Sequence, residues 1–333
     1  MSVKRKKVLL PNILGDAGKR LLADRQDIEC IEFPNTISKE DFRALLVAHA
    51  PIHGVILGLT PFGKNELQVA HELKVVSRIG VGFDAVDVAA LTEADIPVMV
   101  CANANHRAVA EHTIGFMLAL VKRFTDLTSL VNEGRWHQRY EYLPGELEGR
   151  EVLVVGHGRI GKRVTELCLA LNMQVSVYDP YLRPGDLPAN VRFRESLDDA
   201  LPSADWVTLH CPKNEETIGM FSEYRLSLLK PSAFLINTAR GGIVDELALS
   251  RLLIGRHIAG AALDVFSPEP PSADSPLIGL QNVLYSPHLA GVSREAVSRM
   301  AILAAGNVID VFDSVANLDY AINPQVFNKS FAI

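Results

Sequence analysis

Six apolar runs from residue 151 onward each end on residues that can do chemistry. Residues 151–155 run into Gly156-His157-Gly158-Arg159-Ile160-Gly161, and residues 174–178 into Asp179. Residues 206–210 lead to Cys211-Pro212, and 233–237 to Thr238-Ala239-Arg240-Gly241-Gly242. The run 259–263 is followed by Asp264 and, five positions later, Glu269; 282–285 is followed by Ser286-Pro287-His288. An arginine offers a carboxylate two parallel N–H donors. A histidine gives or takes a proton near neutral pH, and a neighbouring carboxylate orients its ring and favours its charged form. Each residue alone has a bland reading as a surface or structural side chain. Arg240, Glu269 and His288 at strand ends of one sheet form a pattern.

The glycines say what sits beside them. Gly156 permits the tight turn out of a strand, Gly158 removes a side chain where backbone approaches a pyrophosphate, and Gly161 lets the following helix pack closely. The helix N-terminus offers N–H groups and the positive end of its dipole to phosphates. Asp179 follows Gly161 by 18 positions, near the spacing of about 20 at which an acid binds ribose hydroxyls. This is a dinucleotide site, and hydride transfer to a ketone needs a proton donor such as His288. His157 fills a variable place in the glycine loop, where backbone does the work. His210 has no sequence-evident partner and reads as a lining or structural residue.

Elements must position these groups. From Lys6 to about Cys101, the runs Val8–Leu10, Ile28–Phe33, Gly54–Leu57, Val75–Ile79 and Pro97–Val100 alternate with amphipathic stretches, and Ser38-Lys39-Glu40-Asp41 reads as a capped helix start. Residues 104–143 lack proline and carry Val109, Phe116, Met117, Leu120 and Phe124 at helical spacing, which predicts one long helix crossing between domains. After Pro287 a helix with Val297, Met300, Ala304, Val308 and Val311 on one stripe returns to the first domain. The fold expected is α/β, with two doubly wound parallel-sheet domains. A flavodoxin-like substrate domain spans about 1–103 and 292–333, and an inserted Rossmann NAD-binding domain spans about 104–291. Substrate is expected in the cleft between them.

Composition bounds the rest. A hydrophobic share of 48% with 22% charged residues is that of a soluble globular chain, and a net charge of −6 gives no footprint for nucleic acid or anionic membrane. The basic cluster Lys4-Arg5-Lys6-Lys7 reads as a solvated flank. Cys30, Cys101, Cys168 and Cys211 lie far apart without metal-ligand spacing, as in a reduced, intracellular protein. No signal-type segment and no run approaching the ~18–20 apolar residues of a membrane span is present. The expected location is the cytoplasm, with no metal.

Residues 75–99, 105–123, 153–161 (LVVGHGRIG), 236–247 (INTARGGIVDEL), 260–271 (GAALDVFSPEPP) and 284–291 (LYSPHLAG) together resemble the D-isomer-specific 2-hydroxyacid dehydrogenases. The resemblance implies NAD as cofactor and a small 2-keto acid or 2-hydroxy acid as substrate. It implies Arg240 as substrate anchor, Glu269 as the partner of the histidine, and His288 as general acid/base. It further implies Arg159 and Ile160 at the pyrophosphate, Asp179 at the adenine ribose and Cys211 beside the adenosine. Thr238, Ala239 and Arg240 would run along the cofactor, with Asp264 and His288 at the nicotinamide. Val81 and Gly82 would offer backbone N–H groups to the substrate carboxylate. Trp136 falls in the family's dimerisation segment, so a homodimer is expected through Glu133 to Tyr142.

Two departures from 3-phosphoglycerate dehydrogenases weigh against that substrate. Where those enzymes carry arginines, this chain reads Leu57-Gly58-Leu59-Thr60-Pro61-Phe62-Gly63-Lys64, and Leu59, Pro61 and Phe62 favour a compact or apolar substrate. The chain also ends soon after the returning helix, leaving no room for a C-terminal regulatory domain. Glyoxylate or hydroxypyruvate is the expected substrate. The rivals are 3-phosphoglycerate dehydrogenase, phosphite dehydrogenase and an NAD(H)-sensing corepressor-like protein; Glu269 argues against formate dehydrogenases, which carry glutamine there.

Overall fold

The structure, a computed structural model, describes residues 5–329; Lys4 of the basic cluster lies outside them. The chain divides into two compact units, Met1–Asn105 with Val292–Ile333, and His106–Gly291. In the first unit β1 (Lys6–Pro11), β2 (Ile28–Phe33), β3 (Gly54–Leu57), β4 (Val75–Arg78) and β5 (Val98–Met99) form a parallel sheet in the order β2-β1-β3-β4-β5. That is the flavodoxin-like order, which reverses after β1. β3 and β4 are buried along their whole length, as strands covered by helices on both faces must be. The helix Lys39–Ala48 begins as expected: Ser38 Oγ accepts from the Asp41 N–H at 3.0 Å. The returning helix, Arg294–Phe312, packs against the helix Asp16–Ala23 so closely that a methyl group on Gly18 would fall on the Ala301 carbonyl.

The second unit holds β6 (Glu151–Val155), β7 (Gln174–Tyr178), β8 (Val191–Phe193), β9 (Trp206–Leu209), β10 (Phe234–Asn237), β11 (Gly260–Leu263) and β12 (Val283–Tyr285). They form one parallel sheet, β12-β11-β10-β9-β6-β7-β8. Chain order reverses at β6 and β9, so the glycine loop and the β9 end share the switch point where α/β sheets bind ligands. β8 is absent from the sequence reading because three residues, of which only Val191 is buried, show no period. On one face the helices His106–Val121 and Arg159–Ala170 bury Phe116, Met117, Val164 and Cys168 against Val152, Val154 and Ile236. Each large apolar side chain so covered contributes about 1.5–3 kcal/mol.

The single long helix expected over 104–143 is corrected. One helix spans His106–Val121, a second Phe124–Asn132, and a 3₁₀ turn Trp136–Tyr142 follows. The break is at Arg123, whose φ of 53° is left-handed. Its guanidinium bonds Asp126 at 2.8 Å and lies 4.8 Å from the centre of the Tyr142 ring, contacts that offset the strain. No glycine or proline marks this break, so helical spacing runs through it. Among the described residues no helix is long and apolar enough to cross a membrane.

Candidate active site

The glycine loop joins β6 to the helix Arg159–Ala170. Gly156 has φ of 89°, and a side chain there would lie 2.7 Å from the Cys211 nitrogen. A methyl group on Gly161 would fall on the Gly156 carbonyl, so the helix approaches its own loop as only glycine allows. Gly158 caps the helix with open space around it and no side chain on the helix N–H groups, while Arg159 is exposed and Ile160 half-buried. Backbone donors without a side-chain cap beside an empty approach fit a pyrophosphate.

Asp179 ends β7 and ties this loop down. Its Oδ2 accepts from the His157 N–H at 2.8 Å and its Oδ1 from the Tyr181 N–H at 3.0 Å. A carboxylate has about four acceptor positions, so two remain for ribose hydroxyls. Cys211 is half-buried, and burial pushes its thiol up to about 11. The neighbouring His210 bonds Thr208 Oγ1 through Nε2 at 2.9 Å; burial pushes it down to about 3, so the ring is neutral. That agrees with a structural histidine.

Beyond β10 the buried Asn237 side chain organises the arginine loop. Its Oδ1 accepts from the Ala239 N–H and its Nδ2 donates to the Arg240 carbonyl, both at 3.0 Å. Arg240 is half-buried and donates from Nη1 to the Ala239 carbonyl at 2.8 Å. A methyl group on the next residue, Gly241, would overlap the Phe266 carbonyl, so the Arg240 loop lies directly against the loop after β11. That second loop carries Glu269. Its Oε1 accepts from the Phe266 N–H at 3.0 Å, and its Oε2 meets His288 Nδ1 at 2.6 Å.

His288 itself has φ of 54°, held because its N–H donates to the Asp264 carbonyl at 2.8 Å. The Asp264 carboxylate, 1% exposed, accepts from the Leu289 N–H at 2.8 Å, the Ala290 N–H at 2.9 Å and the Ser286 hydroxyl. This buried acid thus braces the histidine loop, a task invisible in the sequence. The structure brings Arg240, Glu269 and His288 onto one crest through contiguous contacts.

In the first unit, backbone carbonyls hold the loop after β4. Arg78 Nε donates to the Gly82 carbonyl at 3.0 Å, and the Cys101 N–H donates to the Gly80 carbonyl at 2.8 Å. Val81 and Gly82 are half-buried. After β3, Leu59 is 72% exposed, but Phe62 is 1% exposed in the core with its ring 6.3 Å from that of Phe42. Phe62 therefore cannot face a substrate, contrary to expectation. Sequence periodicity over so short a loop does not separate a core aromatic from a lining one.

Residues 114–290, just over half of the chain, match the NAD-binding domain of the D-isomer specific 2-hydroxyacid dehydrogenases. The chain belongs to that family. D-3-phosphoglycerate dehydrogenase of Archaeoglobus fulgidus is 34% identical over 283 residues, 84% of this chain and 53% of that protein. The chain spans about half the length of the curated relatives it matches. TT0316 protein from Thermus thermophilus has the same fold, with a TM-score of 0.85 and 31% identity over 95% of this chain and 99% of that one. D-lactate dehydrogenase from Aquifex aeolicus, complexed with NAD and lactic acid, gives 0.82 and 26% over 95% and 99%. Sequence reasoning missed the side chains of His112 and Thr113. Their partners lie over a hundred residues away, beyond any local signal.

Proposed function

We propose that this chain catalyses the reversible reduction of small, unphosphorylated 2-oxo acids to (R)-2-hydroxy acids with NADH. The observation that carries the reading is the 2.6 Å contact of Glu269 with His288 on the crest that also bears Arg240 and the glycine loop. The nicotinamide, when bound, supplies or accepts the hydride. His288 gives its Nε2 proton to the forming alkoxide and takes it back in the reverse direction, while Glu269 holds Nδ1–H. Arg240 clamps the substrate carboxylate, and Val81 and Gly82 are the positions of the first unit assigned to substrate binding. The N–H groups at Gly158, Arg159 and Ile160 hold the pyrophosphate, Asp179 the ribose, and Cys211, Thr238, Ala239 and Asp264 line the cofactor.

The names of the curated relatives favour a second reading, 3-phosphoglycerate as substrate. The segment Leu57 to Gly63 opposes it, since it holds no cation, and desolvating a phosphate without partners is expensive. Steady-state assays with glyoxylate, hydroxypyruvate and 3-phosphohydroxypyruvate test the choice. The kcat/KM for one of the first two is expected to exceed that for the third by at least about tenfold, or roughly 1.4 kcal/mol. A preference for the phosphorylated acid overturns the substrate assignment, and no turnover of any 2-oxo acid overturns the reaction. We also assign a homodimer through the segment Glu133 to Tyr142, where Trp136 and Tyr140 are 59% and 71% exposed and Tyr142 is half-buried. A cytoplasmic location is supported by four free cysteines.

A further inference from the structure

His112 and Thr113 are adjacent on the helix His106–Val121, yet they reach two different loops. His112 Nε2 lies 2.9 Å from Ser286 Oγ, and Ser286 is two residues before His288. Thr113 Oγ1 lies 3.0 Å from Thr238 Oγ1, and Thr238 is two residues before Arg240. Successive helical residues project about 100° apart, and the β10 and β12 loops are separated by one strand, about 9–10 Å across the sheet. One helix turn therefore spans both.

The direction of each bond follows from what its neighbours can do. The Asp264 carboxylate only accepts, so the Ser286 hydroxyl donates to it and must accept from His112 Nε2–H. Asp264 in turn holds the Leu289 and Ala290 N–H groups on the far side of His288. Thr113 donates its own proton to the Val109 carbonyl at 2.9 Å, so it accepts from Thr238. Thr113 is 0% and Thr238 6% exposed, which shields this link from water. His112 is further fixed by its edge-on packing against Phe116, with ring centres 4.4 Å apart.

We propose that His112 and Thr113 form a clamp that sets the separation of His288 from Arg240 by gripping the loop before each. Both are positioning residues, and the inference rests on the roles given to His288 and Arg240 above. The clamp makes an asymmetric prediction that a general packing role does not. Thr113→Val keeps the shape and releases the Arg240 side, so it weakens carboxylate binding. His112→Leu releases the His288 side, so it slows proton transfer.

The test uses the full chain and four measurements: kcat and KM for glyoxylate, the Kd of oxamate on the NADH-saturated protein, and the Kd of NADH by fluorescence. Thr113→Val is expected to raise the oxamate Kd and the glyoxylate KM about tenfold with a smaller change in kcat. His112→Leu is expected to lower kcat about 10- to 100-fold with KM near the parent value, the loss that a misplaced reacting group brings. NADH affinity is expected to change less than the oxamate Kd in Thr113→Val and less than kcat in His112→Leu, and Thr113→Ser and His112→Gln to restore most of each loss. If His112→Leu fails to fold, Ser286→Ala cuts the same link from the other side. Equal losses in kcat, KM and NADH affinity, or no loss, overturn the clamp. His288→Ala separates the two claims. If it keeps turnover, the proposed function and the clamp both fall; if it loses turnover while His112→Leu and Thr113→Val behave as the parent, only the clamp falls.

Discussion

Replacing Glu269 by glutamine keeps the shape of the side chain and removes its charge and its ability to accept at both ends. Glu269 accepts twice, from the Phe266 N–H at 3.0 Å and from His288 Nδ1 at 2.6 Å. Glutamine has one acceptor oxygen and one donor group. If the oxygen stays on Phe266, the amide NH₂ faces Nδ1, which must then be unprotonated. The neutral ring becomes the Nε2–H tautomer, which cannot take a proton from a hydroxy acid, and the charged ring sets donor against donor. If the amide turns over, Nδ1–H is satisfied, but the Phe266 N–H faces a donor. Losing a hydrogen bond to a charged group costs about 1.5–3 kcal/mol, and stranding a buried donor about 1–3 kcal/mol. The His288 and Glu269 side chains are 48% and 35% exposed, so water relieves part of the first term. We take about 3 kcal/mol, which is on the order of a hundredfold in kcat. Steady-state turnover of Glu269→Gln is expected to fall by that factor in both directions, because both need Nδ1–H, with an unchanged NADH affinity. Turnover within about threefold of the parent in both directions, beside an inactive His288→Ala, would refute the pairing.

With Asp179 assigned to the ribose, the 2′-phosphate of NADPH would meet a like charge, so kcat/KM is expected to be at least about tenfold higher with NADH; equal values for the two cofactors refute the assignment. Gly161→Ala places a methyl group on the Gly156 carbonyl. Overpacking of this kind costs about 1–3 kcal/mol, and NADH affinity by fluorescence titration is expected to drop by at least about tenfold; an unchanged Kd would show that the loop does not cradle the cofactor. Light scattering at micromolar concentration is expected to give a dimer that Trp136→Ala with Tyr140→Ala weakens, and a monomeric parent protein overturns the interface.

The fold class was legible in the sequence because its signals are local. Parallel strands covered on both faces must be short apolar runs, helices between them must be amphipathic, and a phosphate-binding turn needs glycines at set spacing. That Arg240, Glu269 and His288 lie on one crest was likewise legible, since each is carried by a loop that follows a strand of the same parallel sheet. What failed or stayed hidden depended on partners distant in sequence. The break at Arg123 rests on its contacts with Asp126 and Tyr142, and Phe62 belongs to the core because of the helix that carries Phe42. Asp264 read as a cofactor residue, but only the folded sheet sets its carboxylate beneath Ser286, Leu289 and Ala290. His112 and Thr113 read as two ordinary positions on a helix. Which loop each one grips was decided by how that helix packs across β10 and β12, because a hydrogen bond is specified by the position of both its ends and the sequence around either one describes only its own.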